Sequence, residues 1–229
     1  MKRLVFIFST LVTSFFVTTA IAAPVKSKAS VTRDRIEDLI IQIEDIAYNA
    51  QGVYDSDDND PAVRAKLDPL VDELVSLVPK RTEAEKLPDV LGVWYQVWSD
   101  GPGAPKGQGA LADSIYQVVF PEGYYWNIGR DQFGQTKSMG FLRGKFTVAD
   151  DALQIEFTKA VTNPEWLFSS PISLAMKAEL GVFNDSPPGT APIGKKGFLQ
   201  NVYVDEYIRI CRGGGDEFGG TYLYILERD

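Results

Sequence analysis

The sequence contains no histidine and a single cysteine, Cys211. Without histidine there is no His-dependent catalytic triad, no His-ligated zinc or haem, and no imidazole pH switch. One cysteine permits neither an intramolecular disulfide nor a Cys-cluster metal site. Positive charge is also scarce: 23 Lys and Arg stand against 31 Asp and Glu, a net charge of −8 over 229 residues. Such a chain repels phosphate backbones, which argues against nucleic acid as a partner. What it has in quantity is aromatic side chains, 13 Phe, 10 Tyr and 4 Trp. That content suits β-structure or an apolar ligand surface. The 45% hydrophobic and 24% charged residues are those of a globular chain, so whole-chain disorder is out. These counts favour binding over catalysis.

Lys2 and Arg3 precede an apolar run over residues 4–17 that only Ser and Thr interrupt, and Ala20-Ile21-Ala22 places small residues where a signal peptidase reads. The run is short against the roughly 20 apolar residues of a membrane span. Residues 1–22 are therefore expected to form a cleaved signal peptide, exporting the chain to a periplasm or other extracytoplasmic space. The alternative is the plastid or thylakoid of an alga with signal-first import. Residues 23–31, basic and Ser-containing, read as a flexible N-terminus.

Residues 32–80 are expected to form a helical hairpin. Ile36, Leu39, Ile40, Ile43, Ile46 and Ala47 recur at helical spacing behind Thr32 as N-cap. Val63, Leu67, Leu70, Val71, Leu74 and Val78 repeat the pattern behind Asp60-Pro61. Pro69 should kink or split this second helix, and Pro79 stops it. Between the two, Asp55, Asp57 and Asn59 sit at the first, third and fifth positions of a calcium loop. The turn glycine is replaced by Asp60 and the bidentate Glu by Lys66, so a solvated turn is the reading.

Residues 80–88 read as a charged linker, and residues 88–229 as β-structure. Eight candidate strands cover residues 90–98, 114–120, 124–128, 139–148, 153–158, 198–204, 207–212 and 221–227, most of them separated by turn signals. Meander spacing of this kind suggests a mainly β (α+β) chain with an antiparallel barrel behind the helical hairpin. Residues 160–197, rich in Pro and Gly, are long for a plain connection and read as a lid or a helix crossing the barrel mouth.

Gly92-Val93-Trp94 opens the first strand in the manner of lipocalin-like barrels. The glycine allows close backbone passage at the closed end, and the tryptophan plugs the bottom. Arg209 or Arg212 would stack on the indole. On the strand from Tyr203 to Gly213, alternation sets Tyr207, Arg209 and Cys211 on one face and Ile208 and Ile210 on the other. An inward Arg209 needs a partner, and Asp205 shares its face; an edge-strand surface pair is the alternative. The Gly-rich stretch 213–220 leads into a strand rather than a helix and carries Asp216 and Glu217, so it reads as a hairpin loop and not a phosphate cradle. There is no Gly-x-Ser-x-Gly, Cys211 has no base, and adjacent carboxylates such as Asp205 and Glu206 point to opposite strand faces.

Leu91-Gly-Val-Trp-Tyr95, Ile115-Tyr-Gln-Val-Val119 leading to Asn127, and above all Asp205-Glu-Tyr-Ile-Arg-Ile-Cys-Arg-Gly213 resemble the plastid lipid-associated protein family, the fibrillins or plastoglobulins. The likeness spans residues 32–229. Gly92, Trp94, Asp205, Arg209 and Arg212 match its signature. The resemblance implies a lipocalin-like barrel that binds or coats lipids, with no cofactor, metal or catalytic residue. Its members associate with plastoglobules and thylakoids or bind hydrophobic molecules such as quinones, tocopherols and carotenoids.

The expected function is therefore non-covalent binding of a lipid or other small hydrophobic molecule, in the barrel or at a lipid surface, including peripheral membrane or lipid-droplet association. The candidate ligand-binding residues are the strand aromatics Trp98, Tyr116, Tyr125, Phe141, Phe157 and Tyr207. Trp166, Leu167 and Phe168 are the candidate lid or membrane contact. The alternatives are a solid barrel acting through its surface, and an enzyme on a lipophilic substrate that would need a carboxylate such as Glu156 or Asp205 inside a pocket.

Overall fold

A computed structural model describes residues 28–50, 61–101, 115–133, 136–165, 167–189, 191–215 and 220–229. The expected signal peptide, the Asp55–Asp60 turn, Trp166 and the tip of the Gly-rich loop lie outside the described residues.

Four helices and nine strands follow in chain order: α1 (Lys28–Ala50), α2 (Pro61–Leu77), α3 (Glu83–Val90), β1 (Gly92–Ser99), β2 (Tyr116–Phe120), β3 (Tyr124–Phe133), β4 (Thr136–Val148), β5 (Leu153–Asn163), α4 (Pro171–Glu179), β6 (Asn184–Asp185), β7 (Lys196–Val204), β8 (Ile208–Gly214) and β9 (Thr221–Arg228). Each expected strand is present. Pairing runs β1-β2-β3-β4-β5-β7-β8-β9 and returns to β1, antiparallel throughout, so eight strands close a barrel. Closure leaves no barrel strand with an unpaired edge. The two-residue β6 pairs with β5 beside the ring.

Two helical coverings clad opposite walls. On one side Leu39, Ile43 and Ala47 of α1 meet Leu67, Val71 and Leu74 of α2, all fully buried. Together they pack on outward-facing Trp98, Ile208, Ile210, Leu223 and Ile225. Ion pairs tie the seam. Arg35 chelates Glu73 at 2.7 Å through two nitrogens. Arg64 Nη1 reaches Asp100 at 2.6 Å, and Arg212 reaches Asp72 at 2.7 Å. On the other side Leu174, Ala175 and Ala178 of α4 pack on Val118, Trp126 and Phe141. Glu179 closes that contact by accepting from Trp126 Nε1 (3.0 Å) and Arg143 Nε (2.9 Å).

Several expectations change. Residues 80–88 hold α3 rather than a plain linker. Thr82 and Glu85 form a capping box, which satisfies two of the amides that a helix start leaves open. Thr32 lies inside α1, which begins four residues earlier. Pro69 does not split α2. Pro69 and Ala65, whose carbonyl loses its amide partner there, are both exposed, where water serves that oxygen. The helix within residues 160–197 lies along the barrel wall rather than across the mouth.

Candidate functional site

The two ends of the barrel differ. At one end β1 begins, β9 ends and α3 crosses beneath. Trp94 sits there fully buried, its Nε1 donating to Val90 O at 2.7 Å. Arg228 covers the indole with its guanidinium carbon 4.1 Å from the ring centroid. The same side chain donates to the carbonyls of Leu91 (2.9 Å) and Asp89, pinning the end of α3. Gly92 has φ +116°, and a Cβ there would stand 2.9 Å from Arg228 Nη1, so the glycine is what lets the arginine in. The nearer cation is thus Arg228, which was not expected, while Arg209, one of the two expected, also lies over the ring. Arg209 stands further off at 5.8 Å, and Arg212 faces outward to Asp68 and Asp72 of α2.

Above this plug the barrel encloses a cavity of about 860 Å³, within the range of small-molecule sites. Its walls are largely apolar, with Leu142, Ile155, Phe157, Phe198, Leu199 and Leu226. Its rim takes Ser186, Pro187, Ala191 and Pro192 from the segment after β6, and Gly213 and Gly214 from the end of β8. None of the described lining residues carries a charge. Tyr125 lies flat over the β4 backbone, where a Cβ at Gly144 would fall 2.3 Å from its ring. Only glycine fits under that tyrosine.

The lining also carries a polar set on neighbouring strands: Gln96 of β1, Gln117 of β2, Asn127 and Tyr125 of β3, and Tyr224 of β9. Burial raises the pKa of both phenols well above the ordinary value, so both stay neutral O–H groups. Beneath this set Arg209 points into the barrel, fully buried. Its Nε donates to Asn201 Oδ1 and its Nη1 to Gln117 Oε1, each at 2.6 Å. Asn201 is held in turn by the buried Glu83 carboxylate, through its backbone amide (3.0 Å) and its side-chain amide. Lys86 pairs with Glu83 at 2.8 Å. Cys211 Sγ stands 3.3 Å from Asn201 Oδ1, and burial pushes its thiol up to about 11.

Asp205 is not the partner of Arg209. It holds the β7–β8 turn, accepting from the amides of Tyr207 (2.8 Å) and Ile208 (2.9 Å) and from Tyr203 OH (2.8 Å). That turn starts β8 one residue late and leaves Tyr207 69% exposed, away from the cavity. Two more candidate liners face outward. The β1–β9 register shifts between Gln96 and Trp98, so Trp98 joins the wall under α1 and α2. Tyr116 packs on the α4 side, its ring 5.6 Å from Tyr95. Tyr125 and Phe157 line the cavity. Phe141 borders it, but its ring stacks on Phe183 at 4.5 Å in the α4 cluster. Leu167 is half-buried, its amide donating to Met139 Sδ at 3.3 Å. Phe168 is 88% exposed. Glu156 is exposed on the outer face, so neither carboxylate weighed for catalysis enters the cavity.

Gln96, Tyr224, Glu83 and Arg228 are not among the residues the sequence singles out, and Gln117 and Asn127 stand in the family-like stretch 115–127 without a role assigned to them there. Gln96 had a signal, since it stands two strand residues from Trp94 and shares its face. Among the described residues no helix is long and apolar enough to cross a membrane, and no group of three His, Cys, Asp or Glu side chains could hold a metal ion.

No curated protein matches the chain significantly. A family model does match, over residues 39–219, from the middle of α1 to the hairpin before β9. That span takes in the whole cavity wall except β9, and the chain belongs to the PAP_fibrillin family, the plastid lipid-associated proteins.

Proposed function

We propose that the protein is a non-enzymatic carrier that holds one lipid or other small hydrophobic molecule inside the barrel. The observation that carries this reading is the cavity itself, about 860 Å³ and walled mainly by apolar side chains at the end away from the Trp94 plug. Burial of an apolar ligand there gains about 25 cal/mol for each Å² removed from water. A solid barrel acting only through its surface would have no such space. An enzyme would need an acid, base or nucleophile at the cavity wall, and the described lining supplies only amides and neutral hydroxyls. The family favours a plastid destination over a periplasmic one; the signal peptide stands as an expectation from residues 1–22.

Organic extraction of the purified protein followed by mass spectrometry tests the reading. One apolar species near stoichiometric amount is the expected result. No bound species, together with no shift in Tm on adding quinones, fatty acids or carotenoids, overturns it.

A second reading, contact with a lipid surface, rests on α4. Ile172, Met176 and Leu180 fall four residues apart and are all exposed, with Phe168 and Val182 exposed beside them. That stripe suits insertion into a lipid interface. Flotation with lipid vesicles should carry the protein upward, and the double variant I172S/M176S should stay below.

A further inference from the structure

The polar set on the cavity wall has a fixed direction. A guanidinium only donates, so Arg209 Nη1 forces Gln117 to present its oxygen. The NH2 of Gln117 then donates to Asn127 Oδ1 at 3.0 Å. Asn127 is therefore left with its own NH2 at the cavity, and the described residues give that NH2 no acceptor. Gln96, Tyr125 and Tyr224 reach the same cavity with no side-chain hydrogen bond among the described residues. Below them, Arg209 Nη2 is buried and finds no acceptor among the described residues. The carboxylate of this network, Glu83, reaches Arg209 only through Asn201 and is already paired with Lys86. The buried polar network thus holds two cations and one anion, and its cavity-facing end is rich in donors. A buried cation short of counter-charge is costly.

We infer that the cavity takes its ligand head first, with the carboxylate of a single-chain lipid on the Asn127–Gln117 donors above Arg209. The hydrocarbon tail lies along Ile155, Phe157 and Leu199 toward the mouth. The inference rests on the carrier reading and adds to it the polarity of the ligand and its direction of entry. A carboxylate meets the donors as an acceptor and offsets the excess positive charge below them. A methyl ester keeps a weaker acceptor and no charge, an alcohol offers a hydroxyl without charge, and an alkane offers neither.

The test is competition. An environment-sensitive apolar dye is bound to the purified protein and displaced by palmitate, methyl palmitate, hexadecanol or hexadecane at neutral pH. Palmitate should bind about tenfold or more tightly than the other three, the ratio that about 1.4 kcal/mol of differential interaction gives. In Asn127→Leu that preference should fall below about threefold while dye affinity is kept, and Arg209→Gln should lose it as well if it folds. Asn127→Leu keeps the test decisive if Arg209→Gln does not fold. Equal competition by all four compounds would overturn the head-first inference and leave the carrier reading intact. Failure of the dye and of every competitor to bind would overturn both.

Discussion

The two ends of the barrel are built from the same strands and do opposite things. At the sealed end the polar groups of the plug are committed, with Arg209 Nη2 above them the exception: Arg228 to three carbonyls and the Trp94 face, Trp94 Nε1 to Val90, Glu83 to Asn201 and Lys86. At the open end the amides and phenols of Gln96, Asn127, Tyr125 and Tyr224 reach a cavity with hydrogen-bonding capacity to spare. Side-chain volume makes the difference. Trp94, Val90 and Leu226 fill one end and α3 covers it, whereas Gly140, Gly197, Gly213 and Gly214 keep the other wide. One end holds the fold together and the other leaves room for a ligand.

The largest effects should come from breaking the sealed end. Trp94→Ala removes a fully buried indole and the surface on which Arg228 lies, and should cost about 3–5 kcal/mol in urea unfolding. Glu83→Ala strands the Asn201 amides and Lys86 at once and should cost about 3 kcal/mol. If either variant unfolds within about 1 kcal/mol of the parent, Trp94 and α3 do not seal this end as described.

The strands were legible because alternation and turn residues are local signals, and all eight barrel strands could be placed from them. Which way a side chain faced was less legible. The bulge between Gln96 and Trp98 reverses the outer part of β1, and nothing around Val97 announces it. Asp205 was read as a strand residue, yet its carboxylate serves the turn amides better than a distant guanidinium, which moves Tyr207 into solvent. The family motif located Arg209 but not its partners. Asn201, 8 residues away, meets it across the β7–β8 hairpin, and Gln117, 92 residues away, only on barrel closure. Thr82 and Glu85 carried a readable capping box that the surrounding charge disguised as a linker.

Cys211 sharpens the contrast through pH. Its thiol, fully buried beside Arg209, is pushed up to about 11 from an ordinary value near 9, burial being the main cause. A raised folded-state pKa means that the folded protein holds the proton longer than the unfolded chain. The thiol's contribution to stability is whole below about pH 9 and is lost as pH rises through about 11. The stability of Cys211→Ala should therefore fall less steeply than the parent's across that window. Parallel curves would mean that solvent reaches the thiol from the cavity.

At the open end the same kind of truncation should matter less for stability and more for binding. Phe157 is half-buried: it lines the cavity and packs against the buried cluster with one part of its surface only. Phe157→Ala should cost only about 1 kcal/mol, the loss of one packed face, while weakening an apolar dye several-fold. A cost near that of Trp94→Ala would mean that the cavity wall is packed as tightly as the plug.

The smallest effect should be at Tyr207. It belongs by sequence to the motif that carries Arg209, and by structure to an exposed turn on the outside of the sealed end, where Arg228 N donates to its carbonyl at 2.8 Å. Tyr207→Ala keeps the backbone amide that Asp205 accepts from, so the turn should survive and stability should move by no more than about 0.5 kcal/mol. Ligand affinity should not move at all, because the ring contributes nothing to the cavity wall. A several-fold loss of binding in Tyr207→Ala would contradict the division of labour between the ends. It would place a ligand contact on the sealed side of the barrel, where Trp94, Arg228 and α3 leave no room for one.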